Sequence, residues 1–260
     1  MGISYRQLTP QLKQQIVQAF EGGMECREIP DFLNVSKRSV PRVLSEVGIN
    51  TKRKNRYSFD EAYFDTIDSQ KKAYLLGLMA ADGCVTSTNY VVYESTELSL
   101  VKLFKAELRY TGDIRTITFP QGYAPHYRIN FSSKQLATAL KQYAVVVGRT
   151  ESGAYYFPEA QYFSSYLLGY FDGDGCAYVN QGRSGGLVCI VGSYPWAEAL
   201  SNYLDMGKVV QHQSQSVYYW RIYSQEHIQQ FYNWVYQIPD LGLDYKKAKI
   251  EQILRSYRRG

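Results

Sequence analysis

The sequence predicts an α+β protein built from two tandem, pseudo-symmetric αββαββα repeats, preceded by a small all-α helix-turn-helix domain. Three observations lead there. A short apolar run occurs twice, YLLGLMAADGC at 74–84 and YLLGYFDGDGC at 166–176, with seven of eleven letters shared and 92 residues between the copies. Each run is followed by the same succession of two-residue and helical periods. Ahead of both lie residues 1–50, which read as helices separated by turns.

In the N-terminal part, TPQLKQQIVQAFEGG reads as an amphipathic helix. It opens at Thr9-Pro10 with proline in the first position and stops at Gly22-Gly23. MECREIPDFLNV and SKRSVPRVLSEVGI supply two more helices. In the last, Ser36 is the expected N-cap. Val40, Val43, Leu44 and Val47 face inward, and Lys37, Arg38, Ser39 and Arg42 face outward. Pro30 and Pro41 argue that these helices begin later than their first polar letters, because an interior proline costs about 3 kcal/mol. A small three-helix domain that binds protein or only packs is the alternative. Residues 51–69, opening with TKRKNR, read as a basic linker.

The first repeat, 70–158, opens with the helix KKAYLLGLMAADG. A hairpin follows, CVTS and YVVYES around Thr88-Asn89, and then the helix ELSLVKLFKAELRY, which Gly112 is expected to end. Strands DIRTITF and HYRINF flank a loop with Pro120, Gly122 and Pro125, and SKQLATALKQY is the closing helix. The second repeat, 159–260, has the same order: SSYLLGYFDGDG, two strands around NQGRSGG, PWAEALSNYLDM, KVVQHQ, VYYWRIY and two last helices. A duplication of this length is a tandem domain rather than a solenoid.

Bulk properties narrow the function. The 260 residues are 45% apolar, ordinary for a globular protein, and the chain is long enough for one large core or two to three small ones. There is no apolar run of about 18 residues to span a membrane. MGISYRQLTPQLKQQ lacks the apolar core of a signal peptide. The expected location is cytoplasmic, in a host cytosol or nucleoid, with an organelle also open. Cys26, Cys84, Cys176 and Cys189 have no zinc spacing, and His126, His212 and His227 are scattered, against histidine-based metal catalysis. The net charge of +5 is modest, but its clusters at 37–38, 51–56 and 255–259 suit a polyanion, a solvated positive face being the plainer reading.

Within the repeated run, Leu75, Leu76, Leu78 and Met79 surround the helix, so it is expected to be buried on nearly all sides. Gly77 and Gly169 each cost about 1 kcal/mol against alanine, which makes sense if two helices approach there. Ala80, Ala81 and Gly173 keep the same path narrow, and Gly83 and Gly175 are expected C-caps. Asp82 and Asp174 then fall in the last turn, where the helix dipole disfavours a negative charge by roughly 0.3–1 kcal/mol. Two such carboxylates meeting at a pseudo-dyad call for a cation. Magnesium, or manganese, content with few carboxylates plus phosphate oxygens, fits. For one isolated copy, an aspartate that merely caps a turn would be the simpler account.

LLGLMAADG (75–83) and LLGYFDGDG (167–175) resemble the paired LAGLIDADG motifs of homing endonucleases, and the αββαββα order resembles that family's half-domain over residues 70–260. The resemblance implies a monomeric, site-specific endonuclease for double-stranded DNA that serves intron homing. It implies that Asp82 and Asp174 bind the catalytic metal, and that water is the nucleophile. The motif's earlier acidic position is Asp172 in one copy and Ala80 in the other. The family's basic residue near the end of each repeat corresponds to Lys246 in the second copy. In the first copy Glu151 stands where it is expected, with Arg149 a possible substitute, so equal cutting of both strands is in doubt. The resemblance also implies sheets lying in the major groove. Candidate base readers are Arg115, Arg128, Asn130, Asn180, Gln181, Arg183, Gln211, Gln213 and Arg221, with Gln211 and Gln213 on one face. The N-terminal part resembles resolvase-type helix-turn-helix units. It would add Lys37, Arg38, Ser39 and Arg42, and the linker Lys52, Arg53, Lys54 and Arg56 would track phosphates or enter a minor groove. A transcription regulator or an RNA maturase on the same fold, without cleavage, is the competing reading. No splice-junction residues mark an intein.

Overall fold

Caps and prolines set the helix starts. The Thr9 hydroxyl accepts from the Leu12 N–H at 3.2 Å and Pro10 takes the first position of α1 (Pro10–Glu21). The computed structural model describes residues 2–49 and 57–257, in two units that divide between Arg56 and Tyr57. In the first unit, α2 (Ile29–Phe32) and α3 (Ser39–Glu46) complete a three-helix core around Ile16, Ile29, Val40, Val43 and Leu44. Helix α3 begins at Ser39, with Arg38 and not Ser36 as its N-cap. That start places Pro41 in the first turn, where its missing N–H has no intrahelical partner to lose. The Ser36 hydroxyl pairs instead with the Ser39 hydroxyl at 2.7 Å. Val47, expected inside, lies beyond the helix end and is exposed.

Residues 57–69 are not a linker. Phe64 and Tyr63 are buried, Tyr57 and Phe59 pack on the same cluster, and the Phe59 ring lies 4.3 Å from that of Phe131. Charge in this stretch suggested a solvated tether, but four aromatic side chains outweigh it through the area they bury.

In the second unit the first repeat runs α4 (Gln70–Asp82), β1 (Gly83–Val85), β2 (Tyr90–Ser95), α5 (Leu98–Glu107), β3 (Arg115–Ile117), β4 (His126–Ser132), α6 (Lys134–Gln142) and the single turn α7 (Arg149–Ser152). The second runs α8 (Ala160–Asp174), β5 (Gly175–Val179), β6 (Gly186–Gly192), α9 (Tyr194–Leu204), β7 (Lys208–Gln211), β8 (Tyr218–Ile222), α10 (Gln225–Val235) and α11 (Asp244–Tyr257). Each repeat forms a four-stranded antiparallel sheet, ordered β1-β2-β4-β3 and β5-β6-β8-β7. Alternation decides the faces: Val91, Tyr93, Ile129 and Phe131 are buried beneath the first sheet, and Val188, Ile190, Trp220 and Ile222 beneath the second. Helix α5 ends at Glu107 and its chain turns at Arg109 with φ 50°, so Gly112 is not its terminator.

Candidate active site at the helix seam

Helices α4 and α8 meet at their glycines, reciprocally. A Cβ on Gly77 would lie 2.0 Å from the Tyr166 carbonyl oxygen, and one on Gly169 would lie 2.0 Å from that of Tyr74. One on Gly173 would lie 2.4 Å from the Ala81 Cβ. The helices therefore touch backbone to backbone, which offsets the propensity lost at each glycine. Gly83 and Gly175 are C-caps as expected but for a different reason. Both have extended backbone, φ −88° and −95°, and a Cβ would strike the carbonyls of Met79 and Phe171 at 2.5 and 2.4 Å.

The seam delivers Asp82 and Asp174, the last residues of α4 and α8, to one place. The Asp82 Oδ2 lies 3.1 Å from where a Gly173 Cβ would sit, one residue before Asp174. Burial and then the negative charge of Asp174 push the Asp82 carboxyl up to about 7. Burial likewise raises Asp174. Both sit at the negative ends of helix dipoles, which disfavours their ionised forms. Among the described residues no three His, Cys, Asp or Glu side chains gather as a metal cage. Two partly buried carboxylates, one of which, Asp82, lines a cleft, fit a hard cation that completes its shell with water and phosphate oxygens, as magnesium does.

Two cations finish the helices. The Lys246 ammonium is buried and donates to the carbonyls of Phe171, Asp172 and Gly175 at 2.8, 2.7 and 2.8 Å, so all three protons are engaged. Arg149 donates to the Ala81 carbonyl at 2.9 Å, while its Nη1 is buried without a partner. Glu151, which the spacing put in the basic position, is exposed. Both cations favour ionised Asp82 and Asp174, and the leading one is crosswise: Lys246, at the end of α8, leads for Asp82, and Arg149, at the end of α4, leads for Asp174. Asp172 is structural, accepting from the Tyr74 hydroxyl across the seam at 2.6 Å and from the Leu243 N–H of its own repeat at 3.0 Å. Its carboxyl is pushed up to about 6 by burial.

The other expected site residues scatter more. Arg128 and Asn130 face away from the core as their alternation required, but Glu94 binds Arg128 and Asn130 bonds the Tyr90 hydroxyl. Arg115 is exposed and pairs in register with Arg128. Arg221 lies 4.3 Å over the Tyr219 ring. Asn180, Gln181 and Arg183 occupy the turn between β5 and β6. Gln211 registers with Tyr218, on the Trp220 side of the sheet and opposite in phase to Arg221, while Gln213 lies in the turn beyond β7. The two glutamines share no strand face, because the strand ends between them. In the N-terminal unit Lys37, Arg38 and Arg42 are exposed, the last 4.0 Å over the Tyr5 ring. Ser39 is fully buried by its bond to Ser36 and cannot face a ligand. Lys52, Arg53, Lys54 and Arg56 lie outside the described residues.

One group escaped the sequence reading. His126 Nδ1 lies 2.6 Å from Glu94 Oε1, and both line a cleft of about 440 Å³ with Asp82 and Lys246. Its signal was available: His126 is in phase with Arg128 and Asn130 along HYRINF.

Paired αββαββα halves joined through two glycine-bearing helices, each ending in an aspartate, are the fold of LAGLIDADG homing endonucleases. The chain is similar to the I-LtrWI LAGLIDADG homing endonuclease bound to target DNA, at 14% identity and TM-score 0.51, covering 76% of this chain and 92% of that one. A LAGLIDADG meganuclease, I-AabMI, bound to uncleaved DNA matches at 13% identity and TM-score 0.49, covering 72% and 91%. No family model matches the sequence, and neither does any curated protein. No helix among the described residues is long and apolar enough to cross a membrane.

Proposed function

We propose that this chain is a site-specific double-stranded DNA endonuclease that hydrolyses phosphodiester bonds with Mg2+, or Mn2+, held by Asp82 and Asp174. The observation that carries this reading is the convergence of those two carboxylates at the seam, with Asp82 raised by burial and by Asp174. The bound metal would stabilise charge on the phosphate and acidify water. The chain's own residues do the rest. The rigid α4–α8 contact fixes the carboxylate spacing. Lys246 and Arg149 offset the dipole ends and favour ionised Asp82 and Asp174, ready for a cation. With every proton of Lys246 committed to a carbonyl, its part is electrostatic rather than proton transfer.

The outer sheet faces would read bases, with Arg115, Arg128, Asn130 and Arg221 as the leading contacts. The N-terminal unit would lengthen the site through Lys37, Arg38 and Arg42, and the TKRKNR stretch would follow phosphates. Because one chain supplies both carboxylates, a monomer suffices.

The test starts from a duplex enriched out of a random-sequence pool by the full chain in Ca2+. Adding Mg2+ or Mn2+ is expected to cut both strands. The double variant Asp82→Asn/Asp174→Asn is expected to bind equally well and cut neither. A wild type that binds the duplex but leaves it intact in both metals overturns the reading in favour of a binding protein.

A further inference from the structure

The two sides of the seam, at the end where its carboxylates lie, are topologically equivalent but chemically unlike. Strand register gives the correspondence. Gly83 pairs Tyr93, which pairs Ile129; Gly175 pairs Ile190, which pairs Trp220. Counting along the strands, Glu94 corresponds to Val191, His126 to Val217 and Arg128 to Tyr219. Beside Asp82 the cleft of about 440 Å³ carries Glu94 and His126. Beside Asp174 the cavity is about 230 Å³ and carries Val191 and Val217. At these matched strand positions a carboxylate and an imidazole therefore stand beside Asp82 and two valines beside Asp174, whose cavity is otherwise lined by Arg149 and by tyrosines such as Tyr166 and Tyr170, with no histidine or second carboxylate among the described residues.

The imidazole is held on two sides. Glu94 takes its Nδ1 at 2.6 Å, and Arg128 Nε, 2.5 Å from the second Glu94 oxygen, keeps that carboxylate in place. The Phe119 ring meets the imidazole edge-on, with centroids 4.8 Å apart. Since a carboxylate can only accept, Nδ1 carries the ring proton and Nε2 is left as the acceptor. The side chain is 37% exposed, open to a substrate in the cleft.

We propose that His126, oriented by Glu94, is a catalytic base for cleavage of one DNA strand only, the strand whose phosphate enters the Asp82 cleft. This rests on the endonuclease reading above. As a water oxygen bonds to phosphorus, Nε2 takes the water proton. The bond from phosphorus to the departing ester oxygen breaks, and that oxygen takes a proton from solvent. The imidazolium then returns its proton to bulk water. The Asp174 cleft has no counterpart, so the wild type passes through a nicked duplex with the same strand cut first in every molecule.

The experiment uses the selected duplex, each strand labelled at one end with a different dye, with the full chain in excess and Mg2+. His126→Gln is expected to slow one strand by roughly a hundredfold or more, the range for general acid–base catalysis. The other strand and duplex affinity should stay unchanged to within roughly twofold, since the general-base contribution is confined to one cleft. Glu94 is a positioning residue: Glu94→Ala should slow the same strand. It should also shift the imidazole nitrogens in a 15N spectrum away from the Nδ1–H tautomer that the wild type shows. Equal slowing of both strands, no slowing of either, or a wild-type spectrum of the Nε2–H tautomer overturns the inference while leaving the nuclease intact. A wild type that cuts neither strand removes the endonuclease reading, and this one with it.

Discussion

Gly77→Ala tests the physical basis of the seam without reference to function. The new methyl carbon would sit 2.0 Å from the Tyr166 carbonyl oxygen, 2.8 Å from the Tyr170 nitrogen and 3.0 Å from the Tyr166 carbonyl carbon. An ordinary carbon-to-oxygen approach is about 3.3 Å, so the two helices must part by about 1.3 Å. Every obstructing atom is backbone, and no rotamer change relieves the clash. Alanine's better helix propensity returns about 1 kcal/mol, against an overpacking cost of 1–3 kcal/mol or somewhat more when rigid groups collide. Spreading the helices also loosens Leu75, Leu76, Leu167 and Leu168, all fully buried. With the cost at the upper end of that range, because every obstructing atom is backbone, the net expectation is a loss of about 2 kcal/mol, or roughly 4–8 °C in Tm for a unit of this size. Calorimetry of the full chain reads it as a downward shift of the transition of the repeat unit, with the transition of the N-terminal unit unchanged. Gly169→Ala, its reciprocal, should lose a similar amount. An unchanged or raised Tm for either variant would refute backbone contact at the seam.

Lys246→Met removes three charged hydrogen bonds and strands three carbonyls at the end of α8; a loss of about 3 kcal/mol is expected by urea denaturation. Tyr74→Phe leaves Asp172 Oδ2 with only the Leu243 N–H. It should cost about 1–3 kcal/mol in the same assay, and an unaltered midpoint would show that the bond contributes nothing. Metal-free stability should also respond to pH through Asp82. Its folded carboxyl, at about 7 against an ordinary 3.8, holds a proton that the unfolded chain has released. That contribution is whole below about pH 4 and lost as pH rises to 7, with each tenfold in proton affinity worth about 1.4 kcal/mol. Asp82→Asn cannot titrate, so its Tm advantage over wild type should widen between pH 5 and pH 8 in EDTA. An advantage independent of pH would mean that Asp82 is not raised.

Repetition made much of this legible. Matching Gly77 with Gly169 and Asp82 with Asp174 located the seam and its carboxylates, because a costly glycine at the same offset in two helices has few causes other than close approach. Local chemistry located α1 through Thr9-Pro10, and alternation gave the faces of HYRINF. Reading fell short where tertiary burial overrode composition. The aromatics of 57–69 were hidden among charges, and Ser39 looked like a surface residue until its bond to Ser36 turned it inward. Gln211 and Gln213 were two apart in a strand that stops at the first of them. The His126–Glu94 pair joins neighbouring strands 32 residues apart in the chain, a relation that only the pairing of β2 with β4 supplies.

Helices α4 and α8 are buried along most of their length, from Ala73 to Ala80 and from Phe163 to Asp172, largely by one another. Neither repeat could live alone in water: severed in the stretch before α8, each fragment would carry an oily groove shaped for its sibling. Such fragments would either aggregate or recombine, and a cut chain that recombines would make the molecule an assembly whose completion reports that both pieces are present in one compartment.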